Sequence, residues 1–301
     1  MIPDRLKKGD TISVIAVSNT AKPDDIQYLE KSKKLFEDLC INVIFGKNIC
    51  SNTLGYGATV QEKVEDLHDA FSNKDVKGIF IVKGGEDSNS LFDYIDYELI
   101  KENPKIICGF SDTTSVLNVI NLKTNLVTYH GPTFKSLTSW ETDYGFRCVI
   151  DSLINDSKSF GKSDEEYYTL KEGKAGGELI GGNLSLISRM SAGKYKVDFK
   201  NKILFLEELG FESSPNLVSN NLYYMKQNGV FDDISGLWIG NYEHESNIKL
   251  EQIIMNVLED SNYSFPIIKS DNFGHIDKKI VIPVGARASI DTEAKEKIKL
   301  I

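Results

Sequence analysis

The first part of the chain alternates apolar, β-branched segments with segments whose apolar residues recur at helical spacing, and this alternation constrains the fold most. The strand-like segments are residues 11–17, 41–45, 78–82 and 105–108, and the helix-like segments between and after them are residues 24–39, 59–71 and 113–121. Strands that alternate with helices pair in parallel and form an α/β sheet covered on both faces. Because ligands of such sheets bind at the carboxyl ends of the strands, residues that directly follow a strand are the first candidates for a site.

Residues 155–178 interrupt this alternation with a polar, Gly-rich stretch that is typical of a connection between domains. The apolar segments that follow it are residues 178–180, 202–206, 236–239, 265–268 and 279–283. We therefore predict an α/β protein of two domains. An N-terminal parallel-sheet α/β domain covers residues 1–155, a linker covers residues 156–178 and a smaller C-terminal domain covers residues 179–301.

The charge of the chain argues against two classes of partner. Lys and Arg total 35 and Asp and Glu total 44, which gives a net charge of -9 without any basic block. Phosphate contacts need clustered cations, so we expect no nucleic-acid partner, and the same charge repels anionic membranes. There is no run of about 18 apolar residues that would span a bilayer. Since the apolar stretch at residues 12–17 is too short for a signal peptide, we expect a cytoplasmic protein.

The four cysteines are Cys40, Cys50, Cys108 and Cys148. They show neither C-x-x-C pairing nor a histidine at metal-ligand spacing, so we expect no metal site. In a cytosolic protein such residues are typically reduced, and we expect mostly buried thiols.

Ser111 lies where the strand at residues 105–108 ends and a helix begins, within the sequence Gly-Phe-Ser-Asp. A strand-to-helix turn exposes a hydroxyl and surrounds it with unpaired backbone N–H groups, and the N–H of Asp112 is then placed to stabilise an oxyanion. The alternative is that Ser111 or Asp112 only caps the helix. Spacing alone favours the cap, because caps are common and nucleophile turns are rare.

Two further candidates follow apolar strands in the second half. Glu207 and Glu208 end the strand at residues 202–206, where a carboxylate could orient an imidazole and stabilise its charged form. His275, beside Gly274, follows the strand at residues 265–268 and could act as a general base. The alternatives, solvated loop acids and a structural histidine, are favoured by spacing alone.

Two glycine turns complete the set of candidates. Gly84 and Gly85 follow the strand at residues 78–82, and their missing side chains would let a substrate approach backbone N–H groups. Glu86 and Asp87 come next and are candidate substrate contacts. Asn183 follows a Gly-Gly pair before a helix, where it would serve as a cap or contact the substrate.

Taken together and in chain order, these segments resemble the LD-carboxypeptidase family of serine peptidases. The matching segments are residues 8–10, 83–85, 109–114, 130–132, 180–184, 204–208, 273–275 and 282–285, and they span nearly the whole chain. The resemblance implies that the C-terminal domain is a β-rich α/β domain, that the site lies between the two domains and that the protein is a homodimer.

The same resemblance implies the roles of the site residues. It maps a catalytic triad onto Ser111, Glu207 and His275, and an oxyanion hole onto the N–H groups of Gly85 and Asp112. The remaining candidates become substrate-binding residues, namely Gly84, Glu86, Asp87, Asn183 and Glu208. A triad of this kind needs no metal or organic cofactor.

Two branches of the family differ in their substrate. One removes the terminal D-alanine from murein tetrapeptide during peptidoglycan recycling, and the other, the microcin C immunity carboxypeptidases, cleaves an amide that joins an amino acid or peptide to a nucleotide-like group. Residues 84–89 and 96–100 are similar to the immunity branch, so we expect an aminoacyl-nucleotide or small peptide substrate, with the murein peptide as the alternative. Residues 155–178 lack the stacking Trp of immunity enzymes and offer only Tyr167 and Tyr168.

A different class of function is a small-molecule binder without catalysis, because a two-domain α/β scaffold does not by itself define an activity. Geometry separates the two classes. An enzyme requires Ser111 Oγ within or near hydrogen-bond reach of His275, and Glu207 beside His275.

Overall fold

A computed structural model describes residues 1–140, 142–155, 160, 166–260 and 262–301. Its strands are β1 (Thr11–Ile15), β2 (Asn42–Phe45), β3 (Val76–Ile81), β4 (Ile106–Gly109), β5 (Thr128–His130), β6 (Tyr168–Lys171), β7 (Lys174–Asn183), β8 (Ile203–Glu207), β9 (Gly236–Ile239), β10 (Ile267–Lys269), β11 (Ile282–Val284), β12 (Arg287–Asp291) and β13 (Ile298–Leu300). Its α-helices are α1 (Ile26–Glu37), α2 (Val60–Ser72), α3 (Tyr97–Glu102), α4 (Thr114–Thr124), α5 (Ser136–Ser139), α6 (Tyr144–Leu153), α7 (Leu184–Arg189), α8 (Pro215–Gln227), α9 (Val230–Asp233) and α10 (Leu250–Leu258).

The first sheet is parallel except at one edge. Its strand order is β11-β5-β4-β3-β1-β2, and β1 to β5 pair in parallel. The strand order reverses between β1 and β3, the position at which open α/β sheets bind ligands. At the other edge β11, from the end of the chain, pairs antiparallel with β5. The carboxyl ends of β1, β3 and β4 therefore share one edge of this sheet.

The second sheet has the order β13-β12-β7-β8-β9-β10-β6 within the described residues. Strands β7 to β10 pair in parallel, and antiparallel strands flank them on both sides. The predicted α/β class, with a parallel N-terminal sheet and a smaller β-rich C-terminal domain, is thus confirmed. The domain boundaries at residues 155 and 179 stay a prediction, and β11 returns to the first sheet from beyond them.

Helix α4 joins the two sheets. Almost every residue of this helix is buried, which is why its sequence, Thr-Ser-Val-Leu-Asn-Val-Ile-Asn-Leu-Lys-Thr, shows little amphipathic pattern. Asn118 donates from Nδ2 to the carbonyl of Gly181 at 2.9 Å, and Thr114 Oγ1 accepts from the N–H of Asn183 at 3.1 Å. Both large hydrophobic clusters draw residues from both sheets, so the two halves share their cores.

The structure departs from the sequence prediction in the connection between the halves. Residues 168–171 form strand β6 and residues 174–178 form the first half of β7, where the composition predicted an irregular linker. Polar residues are tolerated in β6 because it is an edge strand with alternating exposure. The rest of the predicted linker, residues 156–159 and 161–165, lies outside the described residues.

The cysteines correct a second expectation. All four are free thiols, but Cys40 and Cys50 are exposed and only Cys108 and Cys148 are buried. Cys40 occupies a left-handed turn after α1, with φ of 60°. Among the described helices, none combines the length and the apolar character needed to cross a bilayer.

Candidate active site

Ser111 lies on a strained turn at the carboxyl end of β4. Its φ of 63° is in the left-handed region, which non-glycine residues enter at a cost of about 1–2 kcal/mol. The chain passes from β4 through Phe110 into a short 3-10 helix, Ser111–Thr113, and then into α4. Phe110 and Thr113 occupy the N-cap positions of these two helices, so Ser111 is not the cap. The strain presents its hydroxyl to the space between the sheets.

Three side chains from both sheets form one hydrogen-bonded chain. Ser111 Oγ lies 3.0 Å from His275 Nε2, and His275 Nδ1 lies 2.8 Å from Glu207 Oε2. Glu207 ends β8, and His275 lies in the loop that follows β10. These distances are within hydrogen-bond range for a nucleophile, a base and an orienting carboxylate. The sequence placed each residue at a strand end, and the fold brings the three ends together.

Asp112 fixes the turn that carries Ser111. Its Oδ2 accepts hydrogen bonds from Ser18 Oγ at 2.6 Å and from the N–H of Ser88 at 2.8 Å. The hydroxyl of Ser88 in turn donates to the carbonyl of Asp112 at 2.7 Å. The turns that follow β1, β3 and β4 are therefore tied together at the reversal of strand order.

The glycines after β3 lie directly against Ser111. A Cβ on Gly84 would stand 2.9 Å from Ser111 Cβ and 3.0 Å from its Oγ. A Cβ on Gly85 would stand 2.3 Å from Ser18 Oγ, so this position also requires glycine. The N–H of Gly85 has no acceptor among the described residues, and the N–H of Asp112 belongs to a first helical turn, whose donors have no intrahelical partner.

Glu207 is fully buried, yet it is ionised. Burial by itself would raise the pKa of its carboxyl, but its interaction with His275, with a smaller contribution from Lys279, lowers this pKa overall. Glu207 Oε1 has no hydrogen-bond partner among the described residues, so the carboxylate is held by His275 and by the field of these neighbours. The expectation of solvated loop acids is wrong for both Glu207 and Glu208, which are 0% and 2% exposed.

Lys279 is a buried cation beside the triad. Its Nζ lies 3.7 Å from the centre of the Phe110 ring and 3.6 Å from the centre of the Trp140 ring, and it has no hydrogen-bond partner in the described part of the chain. Burial lowers the pKa of Lys279 to about 7, against the favourable charge of Glu207. The two ring faces replace part of the hydration that this ammonium loses. Phe110 also contacts the His275 ring, at 5.0 Å between centres.

His130 is the second buried imidazole near the triad. Burial lowers its pKa to about 4, so the ring is neutral at physiological pH. It packs edge-on against Phe110 and Phe205, at 6.3 and 5.5 Å between ring centres. Its Nδ1 has no partner among the described residues.

The predicted substrate-binding residues fall into two groups. Gly84 and Glu86 line the clefts beside Ser111. Asp87 accepts from the buried Nζ of Lys63 at 2.8 Å with both oxygens, so in the structure it neutralises a buried cation.

Asn183 and Glu208 also line a cleft beside Ser111, but they are already bonded to each other and to their neighbours. Asn183 Oδ1 caps α7 by accepting from the N–H of Leu186, and its Nδ2 donates to Glu208 Oε1 at 2.7 Å. Glu208 accepts three more hydrogen bonds, two from Ser185 and one from the N–H of Leu209. Burial raises the pKa of the Glu208 carboxyl in spite of these bonds.

Two clefts open on either side of Ser111. One, of about 370 Å³, runs toward α7 and is bounded by Asn183, Leu186, Arg189 and Glu208. The other, of about 300 Å³, contains His275 and has Trp140 and Phe110 as aromatic walls. Together they provide space for a substrate on both sides of the Ser111 hydroxyl.

Sequence reasoning missed several residues of this site, including Ser18, Ser88, His130, Trp140, Arg189 and Lys279. His130 carried a signal, since it belongs to the His-Gly-Pro segment quoted for the family resemblance. Lys279 and Trp140 carried none, because their contact depends on the tertiary fold. Among the described residues, no group of three or more His, Cys, Asp or Glu side chains could hold a metal ion.

Comparison with known proteins defines the class. The model of the LD-carboxypeptidase N-terminal domain matches residues 12–131, and the model of the LD-carboxypeptidase C-terminal domain matches residues 176–290. The chain belongs to the LD-carboxypeptidase family and is a hydrolase, a serine-type carboxypeptidase. The alternative of a non-catalytic binder is therefore wrong.

Individual relatives carry two kinds of name. The "Probable murein peptide carboxypeptidase" of Bacillus subtilis is 31% identical over 97% of this chain and 92% of its own length. The microcin C7 self-immunity protein MccF of Escherichia coli is 25% identical over 96% of this chain and 93% of its own. A crystal structure of an MccF-like protein from Bacillus anthracis is 30% identical, with a TM-score of 0.87 over 100% of this chain and 99% of that one. A structure of MccF holds glutamyl sulfamoyl guanosine, at 23% identity and a TM-score of 0.88 over 99% of this chain and 97% of that one.

Proposed function

We propose that this carboxypeptidase hydrolyses a terminal amide with Ser111 as nucleophile, His275 as general base and Glu207 as the carboxylate that orients His275. The observation that carries the proposal is the unbroken hydrogen-bonded chain from Ser111 Oγ through both nitrogens of His275 to Glu207 Oε2. A buried, ionised Glu207 favours the tautomer in which Nδ1 carries the proton and Nε2 is free to accept one.

The reaction follows from these positions. His275 Nε2 takes the Ser111 proton while Oγ attacks the amide carbonyl, and Glu207 offsets the charge on the imidazolium. The N–H groups of Gly85 and Asp112 bind the oxyanion, each contributing about 3 kcal/mol to the transition state. His275 then protonates the leaving amine, and a water molecule activated by His275 hydrolyses the acyl-enzyme.

We infer that the substrate joins an amino acid or short peptide to a nucleotide-like group, as in the immunity branch. Three observations support this: the similarity of residues 84–89 and 96–100 to that branch, the relatives named for microcin immunity, and the ring of Trp140 in the cleft that contains His275. Tyr167, one of the two candidate stacking residues, instead packs near Trp238 and accepts from Asn272 Nδ2 at 3.0 Å.

The second candidate is removal of D-alanine from murein tetrapeptide, with a role in peptidoglycan recycling. It is supported by the 31% identical relative from Bacillus subtilis, which is named for murein peptides. Both substrates present a scissile amide and a carboxylate, so the triad serves either one. We further propose that the protein is cytoplasmic and works as a homodimer. Light scattering on the purified protein tests the homodimer.

Mass-spectrometric turnover separates these readings. Murein tetrapeptide and aspartyl sulfamoyl adenosine are each incubated with wild type, with Ser111→Ala and with Ser72→Ala, an exposed serine at the end of α2. We expect hydrolysis of the sulfamoyl adenosine by wild type and Ser72→Ala and none by Ser111→Ala. Release of D-alanine alone, again abolished in Ser111→Ala, would assign the murein substrate. Turnover that survives in Ser111→Ala would remove Ser111 from the mechanism.

A further inference from the structure

The cleft between Ser111 and α7 has an unusual charge pattern. Four carboxylate residues line it, namely Glu86, Asp112, Glu208 and Glu212, and among the described residues around it Arg189 is the sole Lys or Arg. Arg189 ends α7 and also lines a second space of about 300 Å³ on the far side of Leu186. Arg189 therefore borders both the cleft that contains Ser111 and the neighbouring space.

None of these carboxylates is used to neutralise Arg189. Asp112 is occupied by Ser18 and Ser88, and Glu208 already accepts four hydrogen bonds. Glu86 and Glu212 are exposed to solvent. In the described part of the chain, the guanidinium of Arg189 forms neither a hydrogen bond nor an ion pair, so its donors remain available to a ligand.

The lysines that line the two clefts and the space beyond Leu186 are already paired, and Lys279 is buried behind the rings of Phe110 and Trp140. Lys83 and Lys135, on the His275 side, lie 2.9 and 2.6 Å from the oxygens of Asp25, whose pKa falls to about 2 because these bonds outweigh its burial. Lys194, which lines the space beyond Leu186, pairs with Asp93. An anionic group that enters the clefts therefore meets one unpaired cation, Arg189, among the described residues that line them.

We propose that Arg189 is the specificity-determining residue that binds a carboxylate of the substrate. The inference rests on the proposed function. An enzyme that cleaves the terminal amide bond has to distinguish a substrate that carries a carboxylate from one that carries an uncharged carboxamide in its place. A guanidinium does so with two parallel N–H donors that match the two carboxylate oxygens, and an amide, which carries no charge, cannot replace them. The carboxylate comes either from the end of a peptide or from the side chain of an acidic aminoacyl group.

Matched substrate pairs test this assignment. The first pair is murein tetrapeptide and its C-terminal carboxamide, and the second is aspartyl and asparaginyl sulfamoyl adenosine. The ratio of kcat/KM for acid over amide is measured for wild type, Arg189→Gln, Arg189→Lys and the control Arg147→Gln, an exposed arginine of α6. The pair on which the ratio depends identifies the source of the carboxylate.

We expect wild type and Arg147→Gln to prefer the acid by about 10-fold or more, since hydrogen bonds between two charged groups are stronger than those to a neutral amide. Arg189→Gln should lose this preference through KM, with kcat on the amide unchanged, and Arg189→Lys should restore part of it. If Arg189 were merely structural, its replacement would lower kcat/KM equally for both substrates of a pair. An unchanged acid-to-amide ratio in Arg189→Gln would overturn the inference and leave the proposed function intact. Turnover of neither pair by wild type would overturn the proposed function and the inference with it.

Discussion

Replacing Glu207 by glutamine removes one charge from the site without changing the size of the side chain. Glu207 is 0% exposed and does not reach the clefts, so the change acts on substrate only through His275. A glutamine amide that donates to Nδ1 forces the imidazole proton onto Nε2, which then faces Ser111 as a donor and cannot accept its proton. An amide that accepts from Nδ1 keeps the tautomer but leaves the imidazolium without a counter-charge.

The size of the effect follows from this geometry. The same carboxylate-to-amide change in Ser-His-Asp proteases lowers kcat by about 10⁴, which corresponds to about 5.5 kcal/mol of activation free energy. We expect a loss of this order in Glu207→Gln, with KM within about twofold because no contact between Glu207 and substrate is removed. Steady-state kinetics on the better of the two substrates gives both constants.

Glu208→Gln is the matched control. Its carboxylate is the next residue, is buried to 2% exposure and accepts four hydrogen bonds, yet it does not contact His275. A glutamine there would direct its NH₂ group at N–H or O–H donors, so we expect lower stability in urea and a kcat within about tenfold of wild type. If Glu207→Gln kept its kcat while Glu208→Gln lost it by orders of magnitude, the orienting carboxylate would be Glu208 and our assignment would be refuted.

Three further substitutions have expected outcomes. The free energy of unfolding of Ser111→Gly should exceed that of Ser111→Ala by about 1 kcal/mol, because glycine adopts the left-handed φ of 63° without strain. Equal urea midpoints for the two variants would contradict this. Since the pKa of Lys279 is about 7 in the folded state and 10.5 in its ordinary state, Lys279 binds fewer protons in the folded form between these values, and its own contribution to stability should rise with pH through this window. Because the pKa of Lys105 is lowered as well, the test is a difference: urea unfolding at both ends of the window should show a more favourable change with pH in wild type and in Lys278→Met, an exposed neighbour, than in Lys279→Met. Gly84→Ala would place a methyl 3.0 Å from Ser111 Oγ and should lower kcat/KM about 100-fold; normal turnover would show that the nucleophile does not need this space.

The sequence predicted best what is local. Ser111 and Glu207 stand where the apolar strands β4 and β8 end, which made both of them candidates, but His275 lies in the loop beyond β10, and spacing did not select it among the four histidines. Without the family resemblance, a helix cap and solvated acids remained the better reading of the same residues. The burial that excludes these readings is a property of the assembled sheets.

The parts that the sequence did not predict depend on distant pairing. Strand β5 has three residues and forms because it finds partner edges, so no periodic pattern marks it. The apolar segment at residues 279–283 was predicted, but its sequence does not show that β11 pairs with β5 in the first sheet. Strand β6 is polar and stands at an edge. Lys279 contacts Trp140, which is far away along the chain, and nothing in the sequence around either residue indicates this contact.

The return of the chain to its first sheet has a consequence for when activity appears during synthesis. The loop that carries His275 leaves β10 in the second sheet and ends at β11, which pairs with β5 in the first sheet. The first sheet therefore gains its last strand only after the parallel strands β7 to β10 of the second sheet have been made. A nascent or truncated chain that lacks the loop after β10 would hold Ser111 on its turn without the proposed base His275, so we expect peptidase activity to arise only after this loop has been made.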